Sequence, residues 1–358
     1  MTDHDARPTL AAVAARAGVS ASTASLAFSG SGPVSAATRE RVLTAAKEMN
    51  YGGPDPRARS LRRGRSGIVG VVMEERVSEA FRDPIRIAML DGLAEEFGTI
   101  DAGVLILAEA TEGEGAVTIA DAPMDAVVLL GCSPRYSESL ATLRSRGIPI
   151  VAIEGDPGDG VLQITQDNRE ATRFGVEHLR DLGHTRVAIV TLPFDRWRSR
   201  GPVTPERIAA STVATSLERL TGARDVFPDA PAVITAGSRV EEGRLAARSL
   251  LNVPVEQRPT AIVAQSDLLA AGVIRAAEEL GIVVPDELSV LGFDGVRVDG
   301  LWPYDLTTMV QPAQEKGRAA GRAVLMLLAG EHPEPVGFTT IFHRGNTTAP
   351  PPPPPVVE

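Results

Sequence analysis

The sequence predicts a two-part protein: an N-terminal three-helix helix-turn-helix head, followed by an α/β core of doubly wound parallel sheets in two lobes. Three observations carry that reading. Residues 1–65 hold ten Lys/Arg against five Asp/Glu, a charge of +5, so the rest of the chain must be −15 to give the net −10. Within this basic segment apolar residues recur at helical spacing. Beyond it, continuous apolar runs alternate with amphipathic stretches, the pattern of a buried parallel sheet flanked by helices. A positive head on an acidic body points to nucleic acid as the head's partner.

In the head, Leu10, Val13, Ala14 and Ala17 form one stripe at i, i+3, i+4 and i+7, with Thr9 placed to cap its start. Gly18 supplies the left-handed turn that ends this helix. Ser20 then caps a short helix, roughly Ala21–Phe28, and Ser35 caps a third, whose Val42, Ala45, Ala46 and Met49 repeat the stripe. Helix, tight turn, short helix and supporting helix is the arrangement whose second helix enters the major groove. An ordinary three-helix cap on a larger domain would explain neither the charge nor the segment that follows.

That segment is Asp55-Pro56-Arg57-Ala58-Arg59-Ser60-Leu61-Arg62-Arg63-Gly64-Arg65. Asp55 suits an N-cap and Pro56 a first helical residue, yet the helix can last only about two turns, too short to stand alone. It reads as a hinge ordered by binding: Arg57 and Arg59 face phosphate or the minor groove, and Leu61 can wedge between base steps. A solvated basic linker is the bland alternative.

About 290 residues follow Arg65, enough for two lobes. Strands are expected at 67–72, 102–107, 126–131, 148–154, 187–192, 232–235, 260–264 and 288–293. Helices are expected near 84–97, 137–146, 169–182, 205–220, 240–251, 267–280 and 313–329. So many strands exceed one sheet, which places a cleft between two lobes at the strands' carboxyl ends.

The strings TLAAVAARAGVSASTAS, VSAATRERVLTAAKEMNY and ARSLRRGRSGIVGVV closely resemble the LacI/GalR (lactose-repressor) family of bacterial transcription regulators. VEHLRDLGHTRVAIV, VPDELSVLGFDG and LTTMVQPAQEKGRAA extend the resemblance over about nine-tenths of the chain. It implies a periplasmic-binding-protein-like core with three crossings between lobes, placed near 166–168, 293–296 and 328–336. The domains are then a head over 1–52, a hinge over 53–66, a two-lobed core over 67–349 and a Pro-rich tail over 350–358. The N-lobe takes about 67–166 and 296–328, the C-lobe about 167–293 and 329–349. The resemblance implies DNA contacts from Thr9, Ser20, Ala21, Ser22, Thr23, Ser25, Leu26, Ser35, Arg57, Arg59, Ser60 and Leu61. Many members have valine where Ala24 stands and arginine where Leu26 stands; Leu26 cannot form a bidentate guanine contact and suits a thymine methyl instead. Gly52-Gly53 adds a residue before Pro54, a second departure.

For the cleft, the resemblance implies effector contacts from Glu154, Arg207, Ser266, Asp294 and Gln311. A forked cation, two carboxylates and neutral donors and acceptors around one small volume suit a sugar or nucleoside-like molecule. An interlobe salt bridge between Arg207 and Asp294 is the alternative for that pair. Where family members carry Asn-Pro followed by two aromatics, this chain has Asp83-Pro84-Ile85-Arg86, and aromatics are only 4% overall. Phe194, Trp197 and Trp302 are candidates for a stacking surface, each more in keeping with packing.

Enzyme chemistry finds little footing: there is no GxSxG elbow, P-loop or GxGxxG after a strand. His4, His178, His184, His332 and His343 lack metal-ligand spacing, and the single Cys132 allows no internal disulfide. No cofactor or metal is expected. Residues 1–20 lack the apolar core of a signal peptide, and no run approaches a membrane span, so the expected location is the cytoplasm. Helix-turn-helix and hinge both call for a homodimer on a palindromic double-stranded DNA operator. The expected activity is ligand-modulated repression; the alternative is a solute-binding sensor of the same core fold without operator function. Six consecutive prolines from Pro350 form an extended tail with no heptad pattern.

Overall fold

The computed structural model describes residues 8–30, 32–54, 64–73, 77–108, 118–131, 137–155, 158–195 and 197–353; of Glu79 and residues 137–139 it describes the backbone alone. Arg57, Arg59, Ser60 and Leu61 of the expected hinge lie outside these residues, as do His4 and Cys132. The chain forms two compact units, residues 1–67 and 68–358.

The first unit holds helices α1 (Leu10–Arg16), α2 (Ala21–Ser29) and α3 (Ala36–Glu48). Each starts on a hydroxyl cap: Thr9 accepts from the Ala12 amide, Ser20 from Thr23 and Ser35 from Thr38. Gly18 takes φ 66°, which no β-carbon tolerates cheaply, and turns α1 into α2. The stripes meet in a small core of Val13, Ala14, Ala24, Ala27, Val42, Ala45 and Ala46, flanked by Leu10 and Met49. Phe28 and Tyr51 close it edge to face at 5.7 Å.

The second unit has two sheets. β1 (Ile68–Met73), β2 (Gly103–Ala108), β3 (Ala126–Leu130), β4 (Ile150–Ile153), β5 (Leu162–Gln166) and β12 (Val336–Phe338) form the first, in the order β12-β5-β4-β3-β1-β2. All its pairings are parallel. The second sheet runs β13-β11-β10-β9-β6-β8-β7. Its members are β6 (Val187–Thr191), β7 (Gly201–Pro202), β8 (Ala232–Ile234), β9 (Ala261–Ala264), β10 (Ser289–Asp294), β11 (Thr307–Val310) and β13 (Ile341–His343). It is parallel except at its edges, where β7 and β13 pair antiparallel. The helices that follow α3 are α4 (Val77–Ala80), α5 (Pro84–Gly98), α6 (Ser137–Ser145), α7 (Asn168–Asp181) and α8 (Pro205–Ala209). Then come α9 (Ala214–Val226), α10 (Val240–Leu251), α11 (Asp267–Glu279) and α12 (Ala313–Leu328).

Sheet membership moves two of the expected crossings. β11 pairs with β10, so the chain stays in the C-lobe to Val310 and crosses at 311–312, not 293–296. The stretch 295–306 remains on the C-lobe, with Leu301 and Leu306 buried in its core. β12 pairs with β5, so the return crossing falls at 339–340, not 328–336. There the crossing segments bond to one another: the Asp167 amide donates to the Phe338 carbonyl and the Thr340 amide to the Asp167 carboxylate. β5 and β11 escaped the hydropathy reading because polar residues build them. Thr307 and Thr308 are buried with their hydroxyls bonded, Thr308 donating to Asp267 at 2.6 Å.

The helix expected over 205–220 is two, α8 and α9. The Thr212 amide and the Ser211 hydroxyl both donate to the Phe194 carbonyl, drawing the chain out of helical geometry between them. Helices pair at glycines where backbones touch. A β-carbon on Gly222 of α9 would lie 2.2 Å from the Arg169 carbonyl oxygen of α7. One on Gly317 of α12 would lie 2.2 Å from the Met89 carbonyl oxygen of α5. The start of the Pro-rich tail is fixed: the Ala349 carbonyl accepts from His184 Nε2 at 2.9 Å, and the buried His184 also bonds Thr260 and Ser289.

Candidate functional sites

The helix-turn-helix surface follows from which face of α2 the core consumes. Ala24 and Ala27 are fully buried, so they cannot reach a base. Ala21, Ser22 and Leu26 are exposed, and Thr23 and Ser25 half-exposed, so these expected contact residues share the outward side. Ser20 Oγ lies 2.8 Å from both Ser22 Oγ and Thr23 Oγ1, a hydroxyl cluster at the N-terminal end of α2. Such an end offers donors to a phosphate or a base edge. Thr9 and Ser35 sit at the starts of α1 and α3 as caps.

The cleft residues meet at the carboxyl ends of the strands. Glu154 follows β4, Gln166 ends β5, Asp294 ends β10 and Gln311 follows β11. Gln311 Nε2 donates to Asp294 Oδ1 at 2.5 Å. Lys316, on α12 and fully buried, donates to the carboxylate of Glu154, to Gln166 Oε1 at 2.8 Å and to Gln311 Oε1 at 2.5 Å. All three ammonium protons are thereby satisfied. Glu154 also bridges the lobes, accepting from Asn168 Nδ2 of α7 and Thr215 Oγ1 of α9, each at 3.2 Å.

Arg207 does not belong to this cluster. Its guanidinium is folded onto its own loop, donating to the carbonyls of Ser199 and Pro202. The arginine beside Asp294 is Arg219 of α9, 3.6 Å from Asp294 Oδ1, so the salt bridge considered between Arg207 and Asp294 is not formed. Arg219 is buried, lies 3.6 Å over the ring of Phe293, and donates to Asn168 Oδ1 at 2.9 Å and to the Gln265 carbonyl at 2.6 Å. Ser266 is buried beside the cluster and caps α11 by accepting from the Leu269 amide. Phe194 is buried, whereas Trp197 and Trp302 are exposed.

The sequence did carry a signal for the two missed cations. In α9, Ser216, Arg219, Leu220 and Ala223 fall on one buried stripe, and in α12 Ala313, Lys316, Gly317 and Ala320 do the same. A charge inside an apolar stripe must be paired there.

The electrostatics follow from burial. Desolvation pushes Glu154 up, but the charges of Lys316 and Arg219, with hydrogen bonds from Lys316 and Asn168, outweigh it and hold the carboxyl at about 2. Burial lowers Lys316 against the attraction of Glu154. Burial raises Asp267 to about 7 despite hydrogen bonds from Thr308 and the Val296 amide. It raises Asp294 well above the ordinary carboxylate range, opposed by Arg219 and reinforced by Asp267 and by Asp83. The cleft thus holds one firmly ionised carboxylate and a pair that resists losing both protons.

A two-lobed α/β body of this topology behind a helix-turn-helix head defines a DNA-binding transcriptional regulator. A family model for periplasmic binding protein-like domains matches residues 176–343, and one for bacterial regulatory proteins of the lacI family matches residues 9–53. The HTH-type transcriptional regulator IpsA of Corynebacterium glutamicum is 32% identical over 349 residues, spanning 95% of this chain and 97% of that protein. Among solved structures, the transcriptional regulator CelR in complex with cellobiose superposes with a TM-score of 0.63 at 25% identity, covering 95% of this chain and all of that one. The lac repressor dimer bound to operator and the anti-inducer ONPF gives 0.71 at 22% identity over 96% and 99% of the two chains, a likeness of fold. The chain belongs to the lacI family of bacterial regulatory proteins.

Proposed function

We propose that this regulator is a cytoplasmic, ligand-responsive repressor that binds a palindromic operator as a homodimer and takes a polyhydroxylated small molecule between its lobes. The observation that carries the reading is Glu154, an ionised N-lobe carboxylate bonded to Thr215 and Asn168 of the C-lobe. A hydroxylated ligand competes for those acceptor and donor positions, and in doing so changes the free energy of lobe closure. Arg219, Asp294 and Gln311 supply planar donor and acceptor pairs around the same volume. CelR with its bound cellobiose is a relative of similar fold with such a ligand.

Dimerisation is supported by the stretch from α4 to β2. Phe81, Ile87, Ile100 and Val104 are exposed there, beside the edge strand β2. Exposed apolar residues beside an open strand edge are expensive to leave in water, and a twofold copy covers both. The head then reads one half-site per protomer.

The test combines two titrations on the full-length protein. Fluorescence anisotropy should find a palindromic genomic fragment bound with affinity that falls steeply with salt. Thermal unfolding against a panel of sugars, cyclitols and nucleosides should find at least one that raises the midpoint and changes operator affinity. Salt-independent DNA binding would sink the operator reading. A ligand that stabilises equally when Arg219 is replaced by Gln would sink the site.

A further inference from the structure

The polar side chains of the cleft close into a ring. One oxygen of Glu154 accepts from Lys316 and the other from Asn168 Nδ2. Lys316 also donates to Gln311 Oε1, whose Nε2 donates to Asp294 Oδ1. Asp294 faces Arg219 at 3.6 Å, and Arg219 Nε donates to Asn168 Oδ1 at 2.9 Å, which returns the path to its start. Gln166 adds a strut across it, accepting from Lys316 at 2.8 Å and donating to Asn168 Oδ1 at 3.4 Å.

Both amides of the ring stand between a cation and a carboxylate. Asn168 accepts from Arg219 and donates to Glu154; Gln311 accepts from Lys316 and donates to Asp294. A neutral amide serves such a pair in one orientation only, so the ring has a fixed sense. Its members span the body: Glu154 and Lys316 belong to the N-lobe, Arg219 and Asp294 to the C-lobe. Asn168 and Gln311 sit at the first and second crossings. Five of the six are more than nine-tenths buried, and the Glu154 side chain is 11% exposed. In such surroundings the loss of one partner leaves the next group unsatisfied. Glu154 and Asp294 also hold positive φ values, 61° and 129°, a backbone that persists in non-glycine residues where surrounding contacts fix it.

We propose that this ring is a lock between the lobes that opens as one unit, and that the effector binds by replacing it. Asn168, outside the expected effector contacts, is then a positioning residue: it ties Glu154 to Arg219 at the first crossing. The replacement rests on the polyol reading of the cleft. A hydroxylated molecule offers what each break in the ring needs, a donor for Glu154 and Asp294 and acceptors for Lys316 and Arg219. Because both crossings are tied into one path, a bond broken at either loosens the other. The effector's affinity is set by the stability of the ring as well as by its own contacts.

Amide hydrogen exchange in the full-length protein tests the lock. The Asp167 amide, bonded to the Phe338 carbonyl, reports on the first crossing; the Gln311 amide, bonded to the Asp294 carbonyl, reports on the second. Asn168→Asp keeps an acceptor for Arg219 but removes the donor to Glu154 and to Glu218. Gln311→Met cuts the ring on the opposite side. Each variant should speed exchange at both crossings about tenfold or more, while β6 and β9 stay slow. The double variant should exchange little faster than either single one, since the ring is already open. Acceleration confined to the altered crossing, equal acceleration in β6 and β9, or multiplying effects in the double variant overturns the lock. Asn168→Ser cuts the ring without adding a charge and serves if the acid variant does not fold. Calorimetry with neutral sugars and cyclitols tests the replacement. A compound that binds wild type should bind Asn168→Ser more tightly, and weaker binding overturns the replacement. If none binds either protein, the polyol reading fails alone, and exchange decides the lock.

Discussion

The head and the interlobe cleft are built on opposite plans. The head's core is made of alanines and valines, and the expected contact residues on the outer side of α2, from Ala21 to Leu26, contribute little to holding it together. The cleft's functional groups are themselves the packing: Lys316, Arg219 and Asp294 are buried and bonded to each other's neighbours. Those residues of α2 can therefore vary freely, whereas each change in the cleft is also a change in stability. That difference can be broken or sharpened by experiment.

The largest effect is expected from Lys316→Met, which leaves the Glu154 carboxylate without its buried cation. A loss of about 3–5 kcal/mol is expected in denaturant unfolding, and adding Glu154→Gln should recover much of it. A loss below 1 kcal/mol would mean that water already reaches the pair. A pH series comes next. Glu154 and Glu242 have folded values near 2, below their usual 4.5, so their stabilisation is present above 4.5 and lost as pH falls toward 2. Asp267 is shifted the other way, to about 7, so its contribution is full below its usual 3.8 and fades as pH rises through 7. Stability should therefore peak on the acid side of neutrality, and Asp267→Asn should flatten only the limb toward 7. A stability profile rising steadily from pH 5 to 8 would contradict this.

Smaller changes test the packing and the head. Gly222→Ala forces α9 away from α7 and should cost about 1–3 kcal/mol, with the helix content retained by circular dichroism. Ser20→Ala removes the cap of α2 and should cost about 1 kcal/mol, read as faster amide exchange in the head while exchange in residues 68–353 stays unchanged. Leu26→Ala, at an exposed site, should alter stability by no more than about 0.5 kcal/mol yet weaken specific operator binding. If Leu26→Ala unfolds the head, the outward-facing description of α2 is wrong.

How much of this was legible depended on how local the signal was. Caps, the Gly18 turn and the two apolar stripes of the head are short-range patterns, and each expected helix is present there. The apolar strands of the core were equally plain. β5 and β11 were not, because their buried faces carry glutamine and threonine whose partners come from distant segments, and β12 is only three residues long with no buried side chain. The same cause hid the arginine that meets Asp294. Arg207 and Arg219 are twelve positions apart, and which one meets Asp294 depends on Phe194 drawing residues 211–212 aside. Asp294, Gln311 and Glu154 came from the resemblance, through matching strings such as GFDG; Lys316 needed the recognition that an ion interrupts an apolar stripe.

The contact of Gly317 with Met89 has a mechanical consequence. The residue that grips Glu154 in the cleft is the immediate neighbour of the residue at which α12 rests on the backbone of α5, without side chains between to cushion the join. Such a join leaves α12 little room to shift without α5 following. α5 ends at Gly98, at the foot of the exposed stretch that leads to the open edge of β2. In the dimer proposed above, a shift at Lys316 would therefore reach the exposed stretch through the stiffness of this join.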